Sequence, residues 1–265
     1  MNILPSFEES VRLLSETLAA NANIVFFGGA GVSTESGIPD FRSDTGLLSA
    51  GKIYGYSPEQ LLSRSFFDNK PELFFQYYKE NLLHPRAMPN KAHMALARLE
   101  REGPLKAVIT QNVDGLHQAA GSLNVLELHG SSQRNYCVDC GENYDLSYIT
   151  NAENCEIFVP KCLKCGGTVR PDIVLYEEAL DDQVMRASSE ALSSADCLIV
   201  GGTSLAVYPA AGLLRYFKGR NLVLINKTQT PYDSSADIVI RESIAQVLDA
   251  AVRGQHIYNR SSHEV

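Results

Sequence analysis

The 265-residue sequence has no apolar run approaching the roughly 18 residues needed to span a bilayer. A membrane role is therefore not expected. Nor does it carry a surplus of positive charge: 31 acidic against 23 basic residues leave a net charge of −8, which argues against nucleic-acid binding as its main task and suits a basic partner better. Internal repeats and low-complexity segments are absent. Met1-Asn2-Ile3-Leu4-Pro5 lacks the basic region and long apolar stretch of a secretory signal, so the expected location is cytoplasmic. Cysteine is scarce but patterned: of six, four fall in two C-x-x-C pairs, which in a reducing compartment points to metal rather than to a disulfide framework. The hydrophobic share, 45%, is ample for one large domain with a smaller insertion.

What is present centres on the stretch from Gly28 to Arg42, Gly-Gly-Ala-Gly-Val-Ser-Thr-Glu-Ser-Gly-Ile-Pro-Asp-Phe-Arg, which follows an apolar strand over 23–27. Without Cβ atoms, Gly28, Gly29 and Gly31 can take positive φ and leave room for a bulky anion such as a pyrophosphate, met by backbone N–H groups and a helix N-terminus. The match to the dinucleotide pattern G-x-G-x-x-G is partial, because Thr34 stands where the third glycine belongs. No second strand ending in an acidic residue follows about 20 positions later, so the ribose hook of a dehydrogenase is missing. The loop implies a nucleotide held in another way.

Along the chain, Ser6-Phe7-Glu8-Glu9 has the form of a capping box before a helix running to about 21. A Gly-, Ser- and Tyr-rich stretch over 43–57 reads as a mobile flap. Helices opened by proline are expected over 58–64 and 71–83, their aromatics serving as core and cleft wall. Asn90 caps a further helix closed by Gly103, and strands are expected over 106–110 and 124–128. The first of these runs into Gln111-Asn112-Val113-Asp114, the second into His129-Gly130. A helix over 182–194, a strand over 196–200 ending in Gly201-Gly202-Thr203-Ser204, a helix over 209–218, strands over 221–225 and 237–240, and a helix over 243–253 complete the alternation, with a frayed tail from 254. Such alternation means a doubly wound parallel α/β sheet, and ligands of such sheets sit beyond the strands' carboxyl ends. The glycine loop, Asn112, Asp114 and His129 would converge there. His84, His93, His117 and His256 read as packing residues.

Cys137, Cys140, Cys162 and Cys165 carry the spacing of a tetrahedral Zn²⁺ site. Four protein thiolates leave no open position, so the metal should be structural. Cys155 is left in the loop between the pairs, and Cys197 reads as a small core residue.

Taken in order over residues 7–253, the motifs G-A-G-V-S-T-E-S-G-I-P-D-F-R, T-Q-N-V-D-G-L-H, L-H-G at 128–130, the two C-x-x-C pairs, G-T-S-L at 202–205 and I-N at 225–226 resemble the sirtuins, NAD-dependent protein-lysine deacylases, of bacterial type. The resemblance implies a Rossmann-like NAD-binding domain over 1–37, 84–130 and 175–253, a cofactor loop and helical module over 38–83, a zinc-ribbon module over 131–174 and a tail over 254–265. It implies NAD as co-substrate, held by Gly29, Ala30, Gly31, Thr34, Ile38, Asp40, Phe41, Arg42, Gln111, Asn112, Asp114, His129, Gly202, Thr203, Ser204 and Asn226. Nicotinamide would leave as the acyl-lysine oxygen attacks, His129 would act as general base with Asn112 and Asp114 beside it, and 2′-O-acyl-ADP-ribose would be released. Val174, Leu175 and Tyr176 would bind the acylated protein as an added strand.

The sequence departs from the family at Tyr176-Glu177-Glu178, where many members have a glycine at the position of Glu177. Glu177, Glu178, Asp181 and Asp182 suggest a preference for basic residues flanking the lysine. Tyr77 is followed three places on by Glu80 and Tyr78 by Asn81, so the Tyr-x-x-Arg pair of succinyl-selective members is absent and a neutral acyl group is expected. Alternatives within reach of the same sequence are protein ADP-ribosyl transfer at the same site, an NAD-dependent dehydrogenase, and a zinc-ribbon binding module without catalysis.

Overall fold

A computed structural model describes residues 5–40 and 54–261, with side chains described to residue 254. Phe41, Arg42 and most of the expected flap lie outside the described residues. Ser6 opens α1 (Phe7–Ala20) by accepting from the Glu9 N–H at 3.2 Å, and β1 (Ile24–Gly28) follows with every residue buried. The single helix expected over 58–64 is two, α2 (Pro58–Leu61) and α3 (Arg64–Asn69). The break comes at Ser63, whose backbone is extended and whose hydroxyl accepts from the Phe66 N–H. Next come α4 (Pro71–Asn81) and α5 (Lys91–Glu102), the latter capped by Asn90 and stopped by Gly103 at φ +105°. β2 (Leu105–Thr110), α6 (Leu116–Ala119) and β3 (Val125–Glu127) lead into an excursion of β4 (Gly130–Cys137), β5 (Asn143–Asp145), α7 (Leu146–Thr150), the hairpin β6 (Cys155–Glu156) and β7 (Val159–Pro160), and β8 (Val169–Ile173). Asp181 then caps α8 (Asp182–Ser194), followed by β9 (Cys197–Gly201), β10 (Asn221–Ile225), β11 (Ile238–Ile240) and α9 (Ile244–Ser261).

The segment Ala210–Tyr216 forms 3₁₀ turns rather than the regular helix expected there. Of the tail expected from 254, residues 254–261 continue α9 instead, and 262–265 lie outside the described residues. Gly254 does not stop it, since an interior glycine costs a helix only about 1 kcal/mol.

Six strands form one parallel sheet in the order β11-β10-β9-β1-β2-β3. Successive side chains of β1 point to opposite faces. Ile24 and Phe26 join Leu14, Leu18, Leu96, Leu99 and Leu248 under α1, α5 and α9, whereas Val25 and Phe27 pack with Leu192, Leu198, Val200 and Leu213 on the other side. Both faces are covered, which explains why β1 and β9 are apolar throughout. The order of connection reverses between β1 and β9, and Gly28 lies level with Gly201 on one side and Thr110 on the other. Three loops therefore leave the sheet at one height beside the switch point.

The expected doubly wound α/β sheet with a smaller module is thus the observed fold. The second, separate core joins Phe66, Phe67, Phe74, Phe75, Tyr77 and Tyr78 to Ile149, Val169 and Ile173. No helix among the described residues is long and apolar enough to cross a membrane.

Candidate active site

After Gly28 the chain makes two 3₁₀ turns, Ala30–Val32 and Thr34–Ser36, ended by Gly37 at φ +82°. The expected regular helix and the positive φ open to Gly28, Gly29 and Gly31 are both absent; Gly29 sits at φ −140°. The glycines answer a different demand. Gly31 N–H donates to the Gly202 carbonyl at 2.8 Å, and a Cβ on Gly31 would lie 2.8 Å from Gly202 Cα. A Cβ on Gly29 would lie 2.9 Å from Thr203 Cβ. Small residues here let the β9 loop lie directly against the β1 loop, so Gly29, Ala30 and Gly31 share one wall with Gly202, Thr203 and Ser204. Gly202 N–H reaches the Ile225 carbonyl at 3.1 Å, which brings Asn226 alongside. Thr34 turns its hydroxyl back to the Gly31 carbonyl at 3.1 Å, and Ile38 and Asp40 stand half-buried at the loop's exit.

From the end of β2, Gln111 Nε2 donates to Thr203 Oγ1 at 3.2 Å and ties the second loop to the third. Asn112 Nδ2 donates to Ser33 Oγ at 3.0 Å, and that hydroxyl donates to Asp114 Oδ2 at 2.7 Å. Asp114 Oδ1 accepts from the Leu116 N–H at 2.9 Å. Ser33, 1% exposed, is the hub that fixes both Asn112 and Asp114. The sequence reading passed over it, as it did Gln133, which donates to the Asp114 carbonyl at 3.2 Å; Asn90, expected as the cap of α5, also donates to the Val32 carbonyl at 2.7 Å. The hydroxyl within the glycine motif was the available signal for Ser33.

His129 follows β3, half-buried, with Nδ1 2.9 Å from the Gln111 carbonyl. A carbonyl only accepts, so Nδ1 carries the proton and Nε2 keeps the lone pair. Burial holds the His129 pKa below the ordinary imidazole value, opposed by the Gln111 carbonyl. The ring is therefore neutral at pH 7 with its basic nitrogen defined. His93 and His117 are packing residues as expected, 0% and 1% exposed, with ring centroids 4.7 Å apart. Burial pushes both of their pKa values down.

Across the crevice, Val174 N–H donates to the His129 carbonyl at 3.0 Å, Leu175 N–H to Glu178 Oε2 at 2.8 Å, and Tyr176 N–H to the Leu62 carbonyl at 3.0 Å. Val174 is thereby joined to His129, and the main-chain donors of all three residues are paired within the protein. The acidic cluster is likewise engaged: Glu177 accepts from Ser65, Glu178 pairs with Arg170 at 2.6 Å, and Asp181 caps α8. An open cavity of about 530 Å³ adjoins Tyr176 and Glu177, lined also by Tyr56, Ser63, Ser65 and Lys70.

At the far end of β4 the Sγ atoms of Cys137, Cys140, Cys162 and Cys165 all lie within 4.8 Å of one another, with Cys137–Cys165 at 3.5 Å and Cys140–Cys162 at 3.6 Å. Zn–S bonds of about 2.3 Å in a tetrahedron place sulfurs about 3.8 Å apart, so the four thiols fit zinc. Gly141 N–H to the Cys137 carbonyl (3.0 Å) and Gly166 N–H to the Cys162 carbonyl (2.9 Å) close the two turns that present them. Tyr144 OH accepts from the Leu163 N–H at 3.0 Å, which turns its own proton toward Cys162 Sγ at 3.1 Å. Cys197 is buried in β9 as expected, and Cys155 Sγ sits 3.1 Å from Lys79 Nζ.

Comparison with known proteins gives the same reading from outside the geometry. Residues 29–209 match the model of the Sir2 family. A Clostridium perfringens protein named NAD-dependent protein deacetylase is 58% identical over 246 residues, covering 92% of this chain and 99% of its own; one of the same name from Clostridium acetobutylicum is 56% identical over 244 residues, covering 92% and 98%. Among solved structures, a complex of a Sir2 homologue with NAD superposes with a TM-score of 0.82 at 38% identity, covering 93% of this chain and 94% of its own. A Sir2 complex with a p53 peptide and NAD+ superposes with a TM-score of 0.81 at 36% identity, covering 93% and 99%. With its family motifs standing at three strand ends around one crevice and these relatives spanning nearly its whole length, the chain belongs to the Sir2 family and is an NAD-dependent protein deacetylase.

Proposed function

We propose that the crevice at the ends of β1, β2 and β9 holds NAD, and that His129 is the base that completes transfer of an acyl group from lysine to the nucleotide. The lining suits the co-substrate: the Ala30 amide and the hydroxyls of Thr203 and Ser204 for phosphates along the wall that Gly29, Gly31 and Gly202 keep low, Asn226 for a ribose, and Ile38, Asn112 and Asp114 for nicotinamide, with Asp40 also toward the cofactor. NAD supplies a ribose carbon that gives up nicotinamide and a neighbouring hydroxyl that takes the acyl group. Asp114, held by Ser33 and the Leu116 N–H, places a carboxylate where positive charge grows as nicotinamide leaves. His129 Nε2 accepts the hydroxyl proton, which a neutral ring with Nδ1–H pinned on Gln111 can do at pH 7.

The observation that carries this reading is the Nδ1 contact, because a ring that donates from Nδ1 leaves Nε2 as the nitrogen able to accept a proton. Acylated lysine enters beside Val174, Leu175 and Tyr176. On α4, Glu80 pairs with Tyr54, and Lys79 is turned away to the Phe158 carbonyl at 3.0 Å and to Cys155, so this helix offers no cation to an acidic acyl group and a neutral acyl such as acetyl is favoured. With Glu177, Glu178 and Asp181 committed to internal partners, a preference for basic flanks rests on Asp182 alone. The two cysteine turns aligned for metal support a reducing, cytoplasmic setting, and the net charge of −8 supports a protein rather than a nucleic-acid partner.

Incubation with NAD and an acetyl-lysine peptide, with mass spectrometry of peptide and nucleotide, tests the reading. Free lysine, nicotinamide and acetyl-ADP-ribose in equal amounts are expected. ADP-ribose attached to protein without lysine release, or absorbance from reduced nicotinamide, would overturn it.

A further inference from the structure

We propose that Glu177 is the positioning residue of the peptide loop, a latch whose carboxylate holds Tyr176 at the cleft mouth before substrate arrives. This rests on the assignment of Val174, Leu175 and Tyr176 to the acylated peptide. Glu177 stands at φ +77°, a left-handed backbone that a residue with a long side chain seldom adopts without external support. The support is visible. Its Oε2 accepts from the Ser65 N–H at 2.8 Å and its Oε1 from the Ser65 hydroxyl at 2.9 Å.

These contacts continue a ladder. Tyr176 forms a parallel bridge with Ser63, donating to the Leu62 carbonyl at 3.0 Å and accepting from the Arg64 N–H at 2.9 Å. Past Tyr176 the left-handed turn swings the main chain away, and the Glu177 carboxylate supplies the next rung in its place. Glu178 closes the far side on Arg170, at 2.6 and 3.0 Å, with Arg64 at 3.4 Å. The unusual backbone and the carboxylate contact thus depend on each other: release of the carboxylate removes what keeps residue 177 left-handed, and with it the register of Tyr176. A loop ordered in advance loses less conformational entropy when peptide binds. Glycine at 177 would accept the same backbone but offer no rung, leaving the loop to be ordered by the peptide.

The consequence is a split between the two substrates. In Glu177→Gly, the Arg64, Ser65 and Tyr176 amides of the full-length protein should exchange with solvent faster, and the KM for an acetyl-lysine peptide should rise roughly five- to tenfold, with the KM for NAD and turnover at saturating peptide near those of the parent. Glu177→Gln, whose amide oxygen still accepts from Ser65, should recover most of the peptide KM, and Ser65→Ala should fall between. Thermal melting of each variant shows that it is folded, and Glu177→Gln keeps the comparison usable if the glycine variant is not. Unchanged exchange in Glu177→Gly would overturn the latch and leave the deacetylase reading standing. Faster exchange with an unchanged peptide KM would overturn both the inference and the assignment of this loop to the peptide.

Discussion

The sheet and the small module are built differently, and His129 stands between the end of β3 and the start of β4. The sheet is a parallel ladder with aliphatic side chains on both faces, closed by α1, α5 and α9 on one side and α8 on the other. In the small module the sheet has three antiparallel strands, six aromatic rings share the core with aliphatic side chains, and four thiols converge at the end of β4. The sheet supplies its own closure. The module adds a four-thiolate metal site, and binding a metal at such a site couples to folding.

Several experiments set the two regions against each other. The largest effect is expected from losing a zinc ligand: Cys140→Ser or prolonged chelation should remove on the order of 10 kcal/mol of metal-linked folding energy. Amide protection should then fall in β4, β5 and β8 while β1, β2 and β9 stay protected, as followed by hydrogen exchange. Equal loss in both would show that the sheet, too, depends on the metal.

Next, Gly31→Ala should cost roughly 1–3 kcal/mol by forcing the β1 and β9 loops apart, since its Cβ would meet Gly202 Cα at 2.8 Å. The NAD KM should rise more than the peptide KM. Ser33→Ala leaves Asn112 and Asp114 without their shared hydroxyl, and about 1–3 kcal/mol of transition-state stabilisation should be lost, read as a fall in kcat/KM with the melting temperature little changed.

The pH profile separates the regions in another way. His129 has a folded pKa lowered by burial, and its neutral form is the active one, so kcat/KM should hold at neutral pH and fall only as pH drops through a value below the ordinary 6.5. The buried pair His93 and His117 also has lowered pKa values, so the unfolded chain binds protons more readily; stability falls as pH drops below the unfolded value near 6.5 and continues to fall toward the folded ones. That loss belongs to the sheet region, and acid should loosen α5 and α6 before it strips zinc. The smallest effect is expected from Tyr144→Phe, which removes the hydroxyl on Cys162 and should speed zinc release to a chelator by roughly fivefold, about 1 kcal/mol, without moving the KM for NAD.

Much of this was legible because its causes are local. Asn90 and Gly103 mark both ends of α5, and the run Cys197-Leu198-Ile199-Val200 declares a buried strand. The cysteine spacing announced the metal site for the same reason. What escaped depends on partners distant in sequence. Gly31 is small because Gly202 lies against it, a contact that no glycine motif states. Ser33 matters because Asn112 and Asp114 both arrive there from β2. Ser63 reads as the middle of one helix until its hydroxyl is seen capping another, and the four acidic residues after Tyr176 read as a charged surface until Ser65, Arg170 and the start of α8 are placed beside them.

The central claim, that an imidazole at the end of β3 serves chemistry at the sheet's switch point, is tested most directly by single-turnover deacetylation of an acetyl-lysine peptide by His129→Ala, with NAD affinity measured on the same preparation. A fall of roughly 10²–10⁴-fold in the rate, with NAD affinity within a few-fold of the parent, is the predicted result. Deacetylation at the parental rate would contradict it.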